Sequence, residues 1–215
     1  MGINFGFLFV LFFCSFSGKN DIQILKQNNV LNPPIASHHP VDIDSGNYFA
    51  YLPEAFVPAG YSLLAEENGD LNLDPYPDKI LVLSPQGEDS LSTQEKPLLR
   101  LLVMLYGTKT KQYEKIMQHE NLICYYNYDP NFKDAFTGVG IEKGSFTLSH
   151  YGGMVERWGR STTFKFNPTD KKWLLESDEF TTFMASDEKN TTSIKTLTQK
   201  DFGKVYLELF SIYAD

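Results

Sequence analysis

The chain has 215 residues, 27 of them acidic and 19 basic, for a formal charge of -8. That length suffices for one substantial domain or two small ones, and roughly 70% of the unfolded surface can be buried without help from disulfides or a metal. The acidic balance, with only the loose basic stretch KTKQYEK, removes any long-range attraction to phosphate backbones, so nucleic acid is not an expected partner.

At the N-terminus, MGINFGFLFVLFFCSFSG holds an unbroken apolar run from Phe5 to Phe13. This is the length of a signal-peptide core, roughly 7 to 15 residues, and falls short of the ~20 needed to span a bilayer. Ser15 and Ser17 supply small residues for cleavage before Gly18, so residues 1–18 read as a signal peptide. The expected location is extracytoplasmic: periplasmic, envelope-associated or secreted. No Lys or Arg precedes the run, and a buried N-terminal strand or helix is the alternative. A lipid anchor at Cys14 is less favoured, because bulky Phe13 stands where a lipoprotein signal wants a small residue. With the leader removed only Cys124 remains, which rules out an internal disulfide. Its apolar setting, NLICYYNY, predicts a buried, inert thiol.

Residues 19–47 are rich in Asn, Asp, Pro and His and read as a flexible tether. His38 and His39 lack a second ligand cluster at a usable spacing. From residue 48 to 215 the texture becomes short apolar runs punctuated by Gly, Pro, Asn and Asp: SLLAEE, KILVL, RLLVMLYG, YEKIMQH, NLICYYN, GVGIEKG, SFTLSHYGG, RSTTFKFN, KKWLLES and KTLTQKDFG. Such spacing predicts a single all-β domain, mainly an antiparallel meander arranged as blade-like hairpins or a sandwich. A short C-terminal helix is expected within 200–213. EKGSF, with Gly144, and NPTDKKW, before Trp173, predict hairpin turns.

The most informative stretch is GDLNLDPYPDKILVL. Asp70, Asn72 and Asp74 stand at positions one, three and five, Asp78 at nine, and Tyr76 at seven can offer its backbone carbonyl. Hard oxygen donors at this spacing suit calcium, which takes six to eight oxygens at roughly 2.3–2.6 Å. It is not an EF-hand: Pro75 replaces the glycine at six and Leu81 the glutamate at twelve. Without metal, the same residues make a polar turn in which Asp and Asn satisfy their own backbone.

The loop resembles the nine-residue calcium β-hairpin loop of FG-GAP and integrin-type repeats. The wider run of residues 51–106 is similar to exported bacterial proteins in which a Pro-x-Gly-aromatic segment, here Pro58 to Tyr61, precedes a GDLN-x-D loop. HYGG, the Arg157-Trp158 pair and TFKF extend the similarity loosely to the C-terminus. The resemblance implies Asp70, Asn72, Asp74 and Asp78 as side-chain ligands and Tyr76 as a carbonyl ligand to calcium, in a structural role. Pro75 departs from it, since proline fixes φ near -65° where the family's glycine commonly turns with positive φ.

Enzyme signatures fail in turn. His119 lacks the second histidine of a zinc motif, and His150 lacks a Gly-x-Ser-x-Gly elbow. HYGGMVERWGRSTTFKF offers Tyr151, Arg157, Trp158 and Arg160 as a recognition surface for a protein or glycan; the alternative is that Trp158 and the phenylalanines fill the core. The expectation is a non-enzymatic binding or structural protein of the bacterial envelope. The alternative is a carbohydrate-active or other hydrolase with an acidic site near residues 150–160.

Overall fold

The computed structural model describes residues 49–50 and 52–214. The chain divides into two units, Met1–Ser37 and His38–Asp215, and all described residues belong to the second. The expected signal peptide, the tether, Cys14 and the His38-His39 pair lie outside the described residues.

The domain is mainly antiparallel β. Strands β1 (Phe49–Ala50), β2 (Tyr61–Gly69), β3 (Asp78–Pro85), β4 (Leu101–Gly107) and β5 (Tyr113–His119) form one sheet in the order β1-β5-β4-β3-β2. Strands β6 (Phe136–Glu142), β7 (Ser145–Gly153), β8 (Glu156–Asn167), β9 (Lys172–Met184) and β10 (Ser193–Thr198) form the second, in chain order. The sheets meet where β2 lies against β6: a side chain at Gly69 would strike Ile141, and Gly144 donates its N–H to the Asp70 carbonyl at 2.8 Å.

Alternation along the strands sorts the side chains. Ile80, Val82, Leu102 and Met104 of the first sheet share one core with Phe146, Leu148, Phe164, Trp173 and Leu175 of the second. The intervening positions Leu81, Leu83, Leu101, Val103 and Leu105 form a second cluster with Phe56, from a 3₁₀ turn at Pro53–Phe56. Residues 78–83 are therefore buried throughout, which explains why KILVL reads as a continuous apolar run rather than an alternating one.

Both expected hairpin turns are present. Gly144 turns β6 into β7 with φ +72°, and Lys171, φ +53°, turns β8 into β9. Two expectations need correction. NLICYYN is not a strand: Leu122, Ile123 and Cys124 are buried, but this segment's main chain is bonded by side chains from elsewhere. The helix expected in 200–213 shrinks to one turn at Gln199–Phe202, capped by Thr198 and Asp201, and a 3₁₀ turn at Leu207–Leu209. Gly203, at φ +74°, separates them, and Tyr206 bridges to Leu174 of β9 instead of continuing a helix. The other short helices are Glu88–Leu91 (α1) and Glu188–Thr191 (α2). Among the described residues no helix is long and apolar enough to cross a membrane.

Candidate functional site

The polar loop joins β2 to β3, and every one of its candidate side chains accepts a backbone N–H. Asp70 Oδ1 takes Leu73 at 2.7 Å, Asn72 Oδ1 takes Asp74 at 3.0 Å, and Asp74 Oδ1 takes Tyr76 at 2.8 Å. Asn72 also donates from Nδ2 to Asp74 Oδ2 at 2.9 Å. These are turns in which short polar side chains mimic the main chain. Pro75 cannot take the left-handed conformation, and the loop makes that step at Leu73, φ 68°.

Asp78 is wholly buried. Its Oδ2 accepts Leu71 N–H at 2.8 Å and its Oδ1 accepts Gly107 N–H at 2.9 Å, so one carboxylate staples the loop's start to the end of β4. Burial pushes its pKa up to about 6 against the opposing pull of those two amides. The donor set suits a hard cation in kind: three carboxylates, an amide and the Tyr76 carbonyl. As the loop stands, its oxygens serve its own N–H groups, and among the described residues no three His, Cys, Asp or Glu side chains converge on a metal-sized site.

Asn72 and Asp74 also form one wall of a cleft of about 590 Å³. Its floor is apolar and aromatic, from Tyr106 on β4, Ile116 on β5, and Phe166 and Trp173 flanking the β8–β9 turn. Trp173 donates from Nε1 to Tyr106 Oη at 3.1 Å and packs at a tilt of 51° against Phe166 with ring centroids 5.6 Å apart. Desolvation pushes the Tyr106 hydroxyl up to about 12, so it remains an O–H donor at any physiological pH. The far wall carries Lys171 and the exposed Lys172–Glu208 ion pair at 3.0 Å. No local motif marks these residues, because they come from five separate stretches of the chain.

The surface expected at 150–160 divides. Arg160 forms a two-pronged pair with Asp178, Nε to Oδ1 at 3.0 Å and Nη2 to Oδ2 at 2.7 Å, and lies over Phe180. It also donates from Nη1 to the Ile212 carbonyl. Trp158 donates from Nε1 to Asp129 Oδ2 at 2.7 Å, an oxygen that also takes Gly153 N–H. Arg160 and Trp158 are thus committed to internal partners. Tyr151 and Arg157 stay together near the surface, the guanidinium 5.7 Å from the ring centroid, beside the exposed Met154 and Val155.

A third constellation holds segment 121–135, which has no regular structure beyond turns and an isolated bridge. The Cys124 peptide is clamped from both sides: its N–H donates to His150 Nε2 and its carbonyl accepts from Arg100 Nη1, both at 3.2 Å. Arg100, fully buried, also grips Glu88 and Asp134, each through two nitrogens. The Tyr213 hydroxyl donates to the Ile123 carbonyl and accepts Tyr125 N–H. Burial pushes the Cys124 thiol up to about 12, so it is an unreactive core residue, and presses His150 down to about 4.

Compared with protein-family models, with curated proteins and with solved structures, the chain matches none.

Proposed function

We propose that the protein is an exported, non-enzymatic binding module of the bacterial envelope whose ligand, a neutral glycan, sits in the cleft beside loop 70–78. The observation that carries this reading is the composition of the cleft: Tyr106, Ile116, Met117, Phe166 and Trp173 line it together with the polar Asn72 and Asp74. Its volume lies within the roughly 300–1,000 Å³ of small-molecule sites, and flat apolar surface with a few placed polar groups suits a sugar ring. The hydrolase alternative has less support: Asp129 and Asp178, packed beside residues 150–160, are buried and spent on Trp158, Gly153, Arg160 and Thr162, which leaves exposed Glu156 as the one acid within that stretch. Glycoside hydrolysis needs two carboxyl groups facing each other across an open cleft.

Ligand-observed NMR with a panel of neutral oligosaccharides tests the proposal, using the parent and two variants, Asp74→Ala and Ile116→Glu, whose folds are checked by circular dichroism. Binding that both folded variants lose supports the cleft. A panel with no binder, or binding that survives both substitutions, overturns it.

Calcium at loop 70–78 is a second proposal, favoured by four oxygen-bearing side chains within nine residues. Asp70, Asn72, Asp74, Asp78 and the Tyr76 carbonyl would hold the ion, which would supply a fixed charge pinning the cleft wall. Calorimetry on the parent and an Asp70→Ala/Asp74→Ala variant decides it. Binding at or below the millimolar range of extracellular calcium modules, lost in the variant, is the expected result; no heat and no thermal stabilisation in excess calcium sinks the idea.

A further inference from the structure

We propose that His150 is an acid-sensitive pin: protonating its ring releases segment 121–135 and loosens the C-terminal wall of the cleft. The second half of this statement rests on the cleft being the ligand seat; the first does not.

The geometry defines the ring's proton. Nε2 accepts the Cys124 N–H, so the neutral imidazole carries its hydrogen on Nδ1, which is buried and has no hydrogen-bond partner. Protonation would place the ring's second N–H hydrogen on Nε2, pointing it at the Cys124 N–H. The acceptor becomes a donor, and the contact changes from attraction to repulsion. The new cation would also be only 2% exposed, without the hydration that makes a charge tolerable.

The surrounding charges add to this. Arg160 on β8 and Arg100 ahead of β4 both oppose a positive ring, while Asp134 ahead of β6 favours it. Asp134 is already gripped by Arg100, together with Glu88 of α1, and Arg160 is held by Asp178 of β9. The Phe136 ring, 5.7 Å from the imidazole, offers no negative charge. The three carboxylates here are all hydrogen-bonded to the two guanidinium groups, and none accepts from the imidazole, whose Nδ1 has no partner and whose Nε2 faces an N–H.

Release at Cys124 travels a short way. The flanking Ile123 carbonyl and Tyr125 N–H both bond the Tyr213 hydroxyl, and Ile212 N–H donates to the Asn121 carbonyl at 2.8 Å. The same C-terminal segment supplies Leu207 and Glu208 to the cleft. Freeing 121–125 therefore removes one set of ties behind that wall, while the Tyr206–Leu174 bridge and the Lys172–Glu208 pair still hold its front.

Hydrogen exchange at the amides of residues 122–126 in the full chain, corrected for intrinsic rates and compared between about pH 7.5 and 5, tests the pin. With the ring at about 4 when clamped and near 6.5 when free, opening should rise on the order of tenfold. His150→Gln keeps an oxygen acceptor for Cys124 and cannot titrate, so its exchange should stay flat. An equal rise in His150→Gln, or none in the parent, overturns the proposal. Should the variant not fold, the imidazole nitrogen signals of the parent decide: titration near 6.5 with residues 122–126 still protected also overturns it. Saccharide affinity that falls with acid in the parent but not in the variant supports the link to the cleft. Affinity independent of pH alongside acid-loosened amides refutes that link and spares the pin, and no saccharide binding at any pH counts against the proposed function alone.

Discussion

Asp78 concentrates much of the loop's stability in one carboxylate. Its two oxygens take two main-chain amides, from Leu71 and Gly107, in a site with no water access. Asp78→Asn can accept only one of them and turns an amide N–H toward the other, leaving a buried donor unmatched. The expected cost is about 1–3 kcal/mol, read from urea denaturation. Gly107 is required for a separate reason: a side chain there would collide with the Pro77 carbonyl, backbone that cannot swing away. Gly107→Ala should lower stability by about 1–3 kcal/mol of forced displacement, seen as a thermal midpoint several degrees lower. The clustering of Asp and Asn in this loop was plain in the sequence, but the destination of each oxygen was not. The spacing that suits a cation also suits a run of side-chain-to-backbone turns, and Gly107, which decides Asp78's second partner, lies across the sheet on β4.

The elements legible from the sequence were those whose backbone partners lie next door. Nine of the ten apolar runs, KTLTQ among them as β10, became strands, and Gly144 carries the positive φ that glycine permits, whereas Lys171 takes φ +53°, which its residue type does not announce. NLICYYN misled because its residues favour strands while its partners are side chains from afar: Arg100, His150 and Tyr213 take the places of neighbouring strands. Period counting sees composition, not such substitutes. Arg100 is the strongest of them. Arg100→Met would strand Glu88, Asp134 and the Cys124 carbonyl together, and about 3–5 kcal/mol should be lost by chemical denaturation. Adding Glu88→Gln should recover part of that loss, because the stranded charge is what makes the single change costly; strict additivity would contradict this account.

At the scale of the molecule, two buried groups oppose each other on acidification. The folded state holds His150 neutral to about pH 4 whereas the unfolded ring protonates near 6.5, so its contribution is intact above 6.5 and lost as the pH falls toward 4. Asp78 takes up its proton near 6 when folded and near 3.8 when unfolded, so stability rises from this group as the pH falls from 6 to 4. Around pH 5 the two proton differences have opposite sign and similar size, and their sum is close to zero. Relative to the parent, His150→Gln should gain stability on going from pH 6 to 5 by about 1 kcal/mol, and Asp78→Asn should lose about as much. Urea titrations at several pH values check both; variants that track the parent would contradict the assignment. This balance was not legible in the sequence, nor was the cleft: Tyr106, Ile116, Phe166 and Trp173 meet only once two sheets have closed, and no local spacing announces that.

The clamp around segment 121–135 also has a consequence for the order of assembly. Strand pairing is almost entirely between chain neighbours, β1 with β5 being the exception, so each sheet can form from successive hairpins with small loops to close. The Tyr213 to Ile123 bond spans 90 positions and pins a segment with no strand partner of its own. Such a tie is worth its closure entropy only after both sheets exist, which places it beyond the folding barrier. Tyr213→Phe should therefore speed unfolding with little change in the refolding rate, measured by stopped-flow fluorescence. The sheets would set how fast the domain forms, and the clamp how long it lasts.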